Sequence, residues 1–170
     1  NTELPLLPPL VIDADGLNLL SEVDDWPTLL PAGTILTPHP GEMSRLTGLD
    51  RDQVQANRID IAIEKAQVWN CIVVLKGAHT VIAAPDGRAA VLPFVEPALA
   101  TAGTGDVLAG AIVGLLGQGL PPFDAALVGG YVHGLAGKYA ARRLKSARSV
   151  TAGDVLAALP EALSTVENAL

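Results

Sequence analysis

Between Ala100 and Gly110 the chain reads Ala-Thr-Ala-Gly-Thr-Gly-Asp-Val-Leu-Ala-Gly. Glycines at 103 and 105 let a backbone come close to a bulky anion. A helix starting here would aim its unpaired N–H groups and positive dipole end at that anion. Asp106 would lie in the first helical turn. A carboxylate beside a phosphate can take the proton from an attacking hydroxyl. Gly103, Thr104, Gly105 and Asp106 are therefore candidate catalytic residues, with Gly103 to Gly105 as an oxyanion or phosphate hole. The same residues could instead form a tight turn with a capping aspartate. The segment is not a Walker loop, because no G-x-x-x-x-G-K-[ST] occurs in the chain. It is not a dinucleotide fingerprint either, because no strand leads into a G-x-G-x-x-G frame.

Three further segments concentrate polar groups after apolar runs. In Leu36-Thr37-Pro38-His39-Pro40-Gly41-Glu42 two prolines stiffen the chain around an imidazole. Holding a side chain so rigidly suits a group that is used, such as a substrate-binding His39. Glu42 could hold a hydrated Mg2+, a cation that keeps waters and takes one or two carboxylates. It could equally be a helix-start carboxylate. In Val74-Leu75-Lys76-Gly77-Ala78-His79-Thr80 a lysine directly follows an apolar run. That suits a nucleotide phosphate or sugar site spanning Lys76, Gly77, Ala78, His79 and Thr80. A solvated lysine at a strand end is the alternative. In Asp13-Ala14-Asp15-Gly16-Leu17-Asn18, Asp15 or Asn18 could orient a substrate hydroxyl, and an ordinary helix cap would use them too. His133, on an Ala/Gly-rich stretch, reads as a packed or capping residue.

The elements that must position these groups alternate. Leu10–Asp13 and Thr34–Thr37 read as short strands, and Cys71–Leu75 as a central one. Thr80–Ala84 and Ala89–Leu92 flank Pro85-Asp86-Gly87-Arg88 as a hairpin. A helix is expected to follow Asp13-Ala14-Asp15-Gly16 through Leu20, and others at Glu42–Leu46, Asp50–Asn70, Gly105–Leu116 and Phe123–Arg143. A last one follows Thr151, a cap with Asp154 three residues on. In Asp50–Asn70 the apolar stripe is Val54, Ile59, Ile63, Ala66 and Trp69. The alternation predicts an α/β fold with a mostly parallel central sheet and a ligand crevice beyond the strand carboxyl ends.

The 170 residues fit one domain, 1–170. With 49% hydrophobic and 17% charged residues the chain has ample material for a core. A net charge of −7 and the lack of a basic stripe argue against nucleic acid as a partner. The basic run from Lys138 to Arg148 reads as a helix C-terminus matched to its dipole. Cys71 is the one cysteine, inside an apolar run, so a buried inert thiol is expected and no intrachain disulfide can form. A reducing cytoplasm suits that, and no apolar stretch has membrane-spanning character.

Taken together, VIDADGLNLL, ILTPHPGEMSRLTG, VVLKGAHTVI and ATAGTGDVLAGAIVGLLGQG resemble, in order, the ADP- or ATP-dependent NAD(P)H-hydrate dehydratase family. GTGD alone points to the ribokinase-like superfamily, and HPGE with KGAHT narrow the match to the dehydratases. The resemblance implies a three-layer α/β/α fold. It implies that the S form of NADH or NADPH hydrate is phosphorylated at its hydroxyl and then eliminated. Asp106 would be the base, with Gly103, Thr104 and Gly105 as the anion hole. His39 and Asp106 would contact the hydrate, Lys76 to Thr80 and Gly105 the adenine nucleotide, and Glu42 would sit near Mg2+. Family domains begin with strands and a Gly-rich loop upstream of the segment corresponding to Val11. The sheet is thus expected to be incomplete at its N-terminal side, and to associate with that missing portion or with a second copy. A small-molecule kinase of the same superfamily, or a non-catalytic nucleotide-binding module, would carry much the same signature.

Overall fold

A computed structural model describes residues 8–168. Residues 1–7, 169 and 170 lie outside them. Five strands are hydrogen-bonded in sequence order: β1 (Val11–Ile12), β2 (Ile35–Leu36), β3 (Ile72–Leu75), β4 (Val81–Ala83) and β5 (Ala89–Val91). The pairing is parallel from β1 to β3, with Val11 opposite Ile35 and Ile35 opposite Ile72. It turns antiparallel at β4, where Val74 faces Ile82. The parallel strands need crossover helices, and the chain supplies them. These are α1 (Asp15–Leu20), α2 (Pro40–Thr47), α3 (Arg51–Ala56) and α4 (Arg58–Trp69). Downstream come α5 (Thr104–Gly117), α6 (Pro122–Leu144) and α7 (Ala152–Glu167). Two compact units emerge, one made of the chain through Lys76 with Val81–Ala90, the other of Gly77–Thr80 with the chain from Val91 onward.

In the first unit β3 is buried at every position, as a central strand flanked on both sides must be. Its core gathers Leu17, Leu36, Met43, Val54, Ala66, Val73, Leu75 and Val81. Trp26 and Trp69 add a tilted ring pair, centroids 4.9 Å apart. Cys71 is buried among them, and burial pushes its thiol up to about 11. That thiol stays protonated and unreactive, as the sequence implied.

The helix expected over Asp50–Asn70 is in fact two. Asn57 breaks it at φ −127° and ψ 37°, and its side-chain amide donates to the Gln53 carbonyl at 3.3 Å. Asparagine competes in this way with the helical ladder. The break resets the phase of the apolar stripe. Ile61 and Ala62 enter the core, whereas Ile59 is 48% exposed. The second helix ends at Asn70 in the left-handed region, with the Cys71 N–H returning to the Ala66 carbonyl.

The second unit packs α5, α6 and α7 around small side chains, Ala98, Val132, Ala136, Ala140, Val155, Ala158 and Ala162. Small residues allow close helix approach. Gly134 shows the constraint: a Cβ there would lie 2.3 Å from the Phe94 ring. The expected cap of α7 is present. Thr151 Oγ1 accepts from the Asp154 N–H at 3.3 Å, and Asp154 Oδ2 accepts from the Thr151 N–H at 2.9 Å.

The Thr151 hydrogen bonds also hold the Asp154 carboxyl below its ordinary value. A depressed carboxylate pKa stabilises the fold above the ordinary value near 3.8 and loses that effect as pH falls through it. Thr151→Ala is expected to cost about 1 kcal/mol in urea unfolding at neutral pH. The Asp154 carboxyl, followed by NMR titration, should move up toward its ordinary value.

Candidate functional site

The first unit gathers side chains from the carboxyl ends of its three parallel strands. Asp13 follows β1, His39 and Glu42 follow β2, and Lys76 follows β3. Lys76 Nζ lies 2.5 Å from Asp13 Oδ1 and 3.8 Å from Glu42 Oε2. The Glu42 side chain is 6% exposed, Asp13 11% and Lys76 19%. Two carboxylates that far out of water need a cation, and the ammonium supplies it. The Asp13–Lys76 pairing was not legible from the sequence, because 63 residues separate the partners.

His39 is committed to local structure. Its Nδ1 accepts from the Gly41 and Glu42 N–H groups at 2.9 and 3.2 Å, and Glu42 Oε2 accepts from the His39 N–H at 2.7 Å. This is a capping box with histidine in the place usually taken by serine or threonine. With Nδ1 accepting, Nε2 carries the proton and faces Glu42 Oε1 at 3.3 Å. Half of the His39 side chain remains exposed.

Both Glu42 oxygens are thus engaged, one by His39 Nε2, the other by the His39 amide and Lys76. Lys76 is the cation beside Glu42, and each carboxylate oxygen keeps further acceptor capacity that a hydrated Mg2+ could use. Among the described residues no group of three or more His, Cys, Asp or Glu could hold a metal ion.

Asp15 and Asn18 lie on α1, apart from that network. Asn18 Nδ2 donates to Asp15 at 3.3 Å, and Arg45 Nε donates to Asn18 Oδ1 at 2.9 Å. Ala14, between the two aspartates, is held at φ +49°, a strained position for a residue with a Cβ. Sequence reasoning also missed Arg58. Its Nη2 donates to the carbonyls of Leu75 and Lys76 at 2.8 and 3.3 Å, tying the end of β3 to the start of α4. Its Nε is buried without a partner among the described residues, and burial lowers the guanidinium pKa. No local pattern around residue 58 signals this reach.

In the second unit the turn Gly77–Thr80 is closed by Thr80 Oγ1, which donates to the Gly77 carbonyl at 3.0 Å. Gly77 sits at φ +145° and His79 at φ +53°. The His79 N–H is bonded to the Phe94 carbonyl at 2.8 Å. Ala78 and His79 are exposed on this turn.

The second unit also holds the glycine turn. Gly103 caps α5 at φ +86° and ψ −12°, a conformation that favours glycine. Thr104 begins the helix and is buried. Its hydroxyl reaches the Leu99 and Thr101 carbonyls at 2.7 and 2.8 Å. Thr104 therefore anchors the turn with its side chain, and its N–H bonds the Thr101 carbonyl at 3.3 Å. Gly105 and Asp106 fall in the first turn, where N–H groups have no partner inside the helix. The Asp106 carboxylate is exposed and pairs with no described side chain.

Lys76→Met should leave two mostly buried carboxylates without a counter-ion and cost about 2–3 kcal/mol in urea unfolding. Adding Asp13→Asn should restore part of that loss. A double-mutant cycle with no coupling energy would show that the pair is not formed in solution.

A family model described as NAD(P)H-hydrate dehydratase matches residues 2–161. The chain is 48% identical over 159 residues to a bifunctional NAD(P)H-hydrate repair enzyme Nnr from Moorella thermoacetica, covering 94% of this chain and 30% of that protein. It is 41% identical over 149 residues to an ADP-dependent (S)-NAD(P)H-hydrate dehydratase from Neisseria meningitidis, covering 86% of this chain and 50% of that one. Among solved structures it is similar to the ADP/ATP-dependent NAD(P)H-hydrate dehydratase of Bacillus subtilis co-crystallized with ATP/Mg2+. There the TM-score is 0.79 and the identity 34%, over 92% of this chain and 55% of that one. The chain thus spans from under a third to just over half the length of these relatives. The expected ribokinase-like α/β fold is that of its structural neighbours. On its sequence, its fold and the extent of the match, the chain belongs to the NAD(P)H-hydrate dehydratase family.

Proposed function

We propose that the protein to which this chain belongs dehydrates the S form of NADH or NADPH hydrate, using ADP or ATP as co-substrate. One observation carries the reading: Asp106 stands exposed and unpaired in the first turn of α5, directly after the left-handed Gly103. The unpaired amides of that turn receive a phosphate, and the carboxylate beside them accepts a proton. The hydroxyl oxygen of the hydrate attacks the terminal phosphorus of the nucleotide as Asp106 removes its proton. The shortened nucleotide leaves. The phosphate ester then departs as inorganic phosphate with loss of a ring proton, which restores the double bond of the reduced nicotinamide.

Gly103, Thr104 and Gly105 make the anion hole, with Gly103 setting the turn, Thr104 anchoring it and the Gly105 N–H directed to the phosphate. Gly105 and the turn Gly77–Thr80 hold the adenine nucleotide. Lys76 contributes its backbone to that turn, because its ammonium is spent on Asp13 and Glu42. The half-exposed His39 contacts the hydrate, and Asp15 and Asn18 are further candidates for its hydroxyls. Magnesium, when bound, would neutralise the phosphates of the nucleotide, and Glu42 would reach it through water.

Among the described residues no helix is long and apolar enough to cross a membrane. A cytoplasmic setting suits the nucleotide substrates and the lone thiol. The segment 1–170 is read as part of one dehydratase domain within a longer protein.

The test supplies enzymatically prepared NADPH hydrate with ADP or ATP and follows recovery of reduced-nicotinamide absorbance. Turnover with release of inorganic phosphate supports the dehydratase. A stable phosphorylated metabolite would mark a kinase, and nucleotide binding without turnover a binding module. Asp106→Asn should lower kcat by about 10²–10⁴ while the nucleotide Kd changes little. A near-normal rate in that variant would remove the base assignment.

A further inference from the structure

His133 lies on α6, 29 residues from the glycine turn in sequence, and is 7% exposed. Its Nε2 is 2.9 Å from the carbonyl oxygen of Thr104. A carbonyl only accepts, so Nε2 carries the hydrogen and donates. The partner atom is informative. The Thr104 carbonyl and the Gly105 N–H belong to one planar peptide group. Fixing that oxygen fixes the direction of the N–H at the opposite end. A donor on the oxygen also polarises the amide, which strengthens the same N–H as a donor.

The rest of Thr104 is held as well. Its hydroxyl is bonded to the Leu99 and Thr101 carbonyls, and Thr101 Oγ1 donates to the Val150 carbonyl at 3.0 Å. The peptide before Gly105 is thus gripped from the hydroxyl on one side and from the imidazole on the other. The face of α6 that carries His133 is lined by small residues, with Gly130, Gly134, Ala136 and Gly137 all buried around it. Leucine or methionine would fill such a helix–helix contact at lower cost than an imidazole, which must be desolvated. The second unit carries the polar residue where it meets a peptide whose N–H belongs to the proposed phosphate site.

We infer that His133 is a positioning residue for the reaction, acting through the Thr104–Gly105 peptide to aim and polarise the Gly105 N–H toward the phosphate. This rests on the reading of the glycine turn as the phosphate site. His133 itself touches no substrate.

The experiment compares His133→Leu, His133→Gln and His133→Asn in the full protein. Glutamine places an amide N–H near the position of Nε2, whereas asparagine is too short. Three readouts are taken: the 15N and 1H shifts and order parameter of the Gly105 amide, the Kd for ADP by calorimetry, and kcat with KM for both substrates. The Leu and Asn variants should displace the Gly105 amide resonance and weaken ADP about tenfold, the weight of one hydrogen bond, and Gln should recover to within about threefold. Thermal midpoints should not follow that order. If Leu and Gln behave alike, or if Gly105 and ADP affinity are untouched in a folded Leu or Asn variant, the inference is overturned. Should the wild-type protein bind no adenine nucleotide, the dehydratase reading fails, and the Gly105 resonance still decides whether His133 orients that peptide.

Discussion

A helix cannot satisfy its own first N–H groups, and that deficit is most exposed in the second unit at the start of α5. At α5 no side chain closes it. Gly103 turns the backbone into the left-handed region, so that no preceding side chain folds back over the amides. The one hydroxyl at the helix start points inward, to carbonyls of the preceding segment, and does not cap the free groups. Contrast α2 and α7, where His39 with Glu42 and Thr151 with Asp154 close reciprocal capping boxes. The α3 start is closed in the same way by Asp50 with Gln53, whereas the α5 start has no side-chain cap.

The first unit meets a different constraint with the same economy. Parallel strands deliver their carboxyl ends to one edge, and polar groups accumulate there. Asp13 and Glu42 are too buried to stand alone as anions. Lys76 neutralises them, and Arg58 fixes the end of the strand that carries Lys76. The resulting network is held by charge and by geometry together.

Much of this was readable from residues alone. Local signals are strong where a single residue type has a backbone consequence. Gly103 before Thr-Gly-Asp marked the start of a helix with open amides, Thr151 with Asp154 marked a cap, and Pro-Asp-Gly-Arg marked a hairpin. The buried run at 72–75 fixed the central strand, and the lone cysteine within it was correctly read as inert. The periodicity over 50–70 gave the right residues for a helix but not its break. Asn57 fits a helical pattern in sequence, and only its return to the Gln53 carbonyl reveals that the ladder stops there.

What the sequence determined by itself was the chemistry on offer: an acid one step beyond a glycine turn, a lysine after an apolar strand, a histidine between two prolines. Those depend on neighbours within a few residues, and short-range sterics and hydrogen bonding specify them. What only the tertiary structure decided was how each group is employed. Lys76 faces Asp13 across 63 residues, Arg58 reaches the end of β3 across 17, and His133 meets the Thr104 carbonyl across 29. Such pairings are set by which strands lie side by side and which helix faces pack. Burial then decides whether a charge is paired or left to a ligand, because the cost of an unpaired charge depends on how much water it has lost.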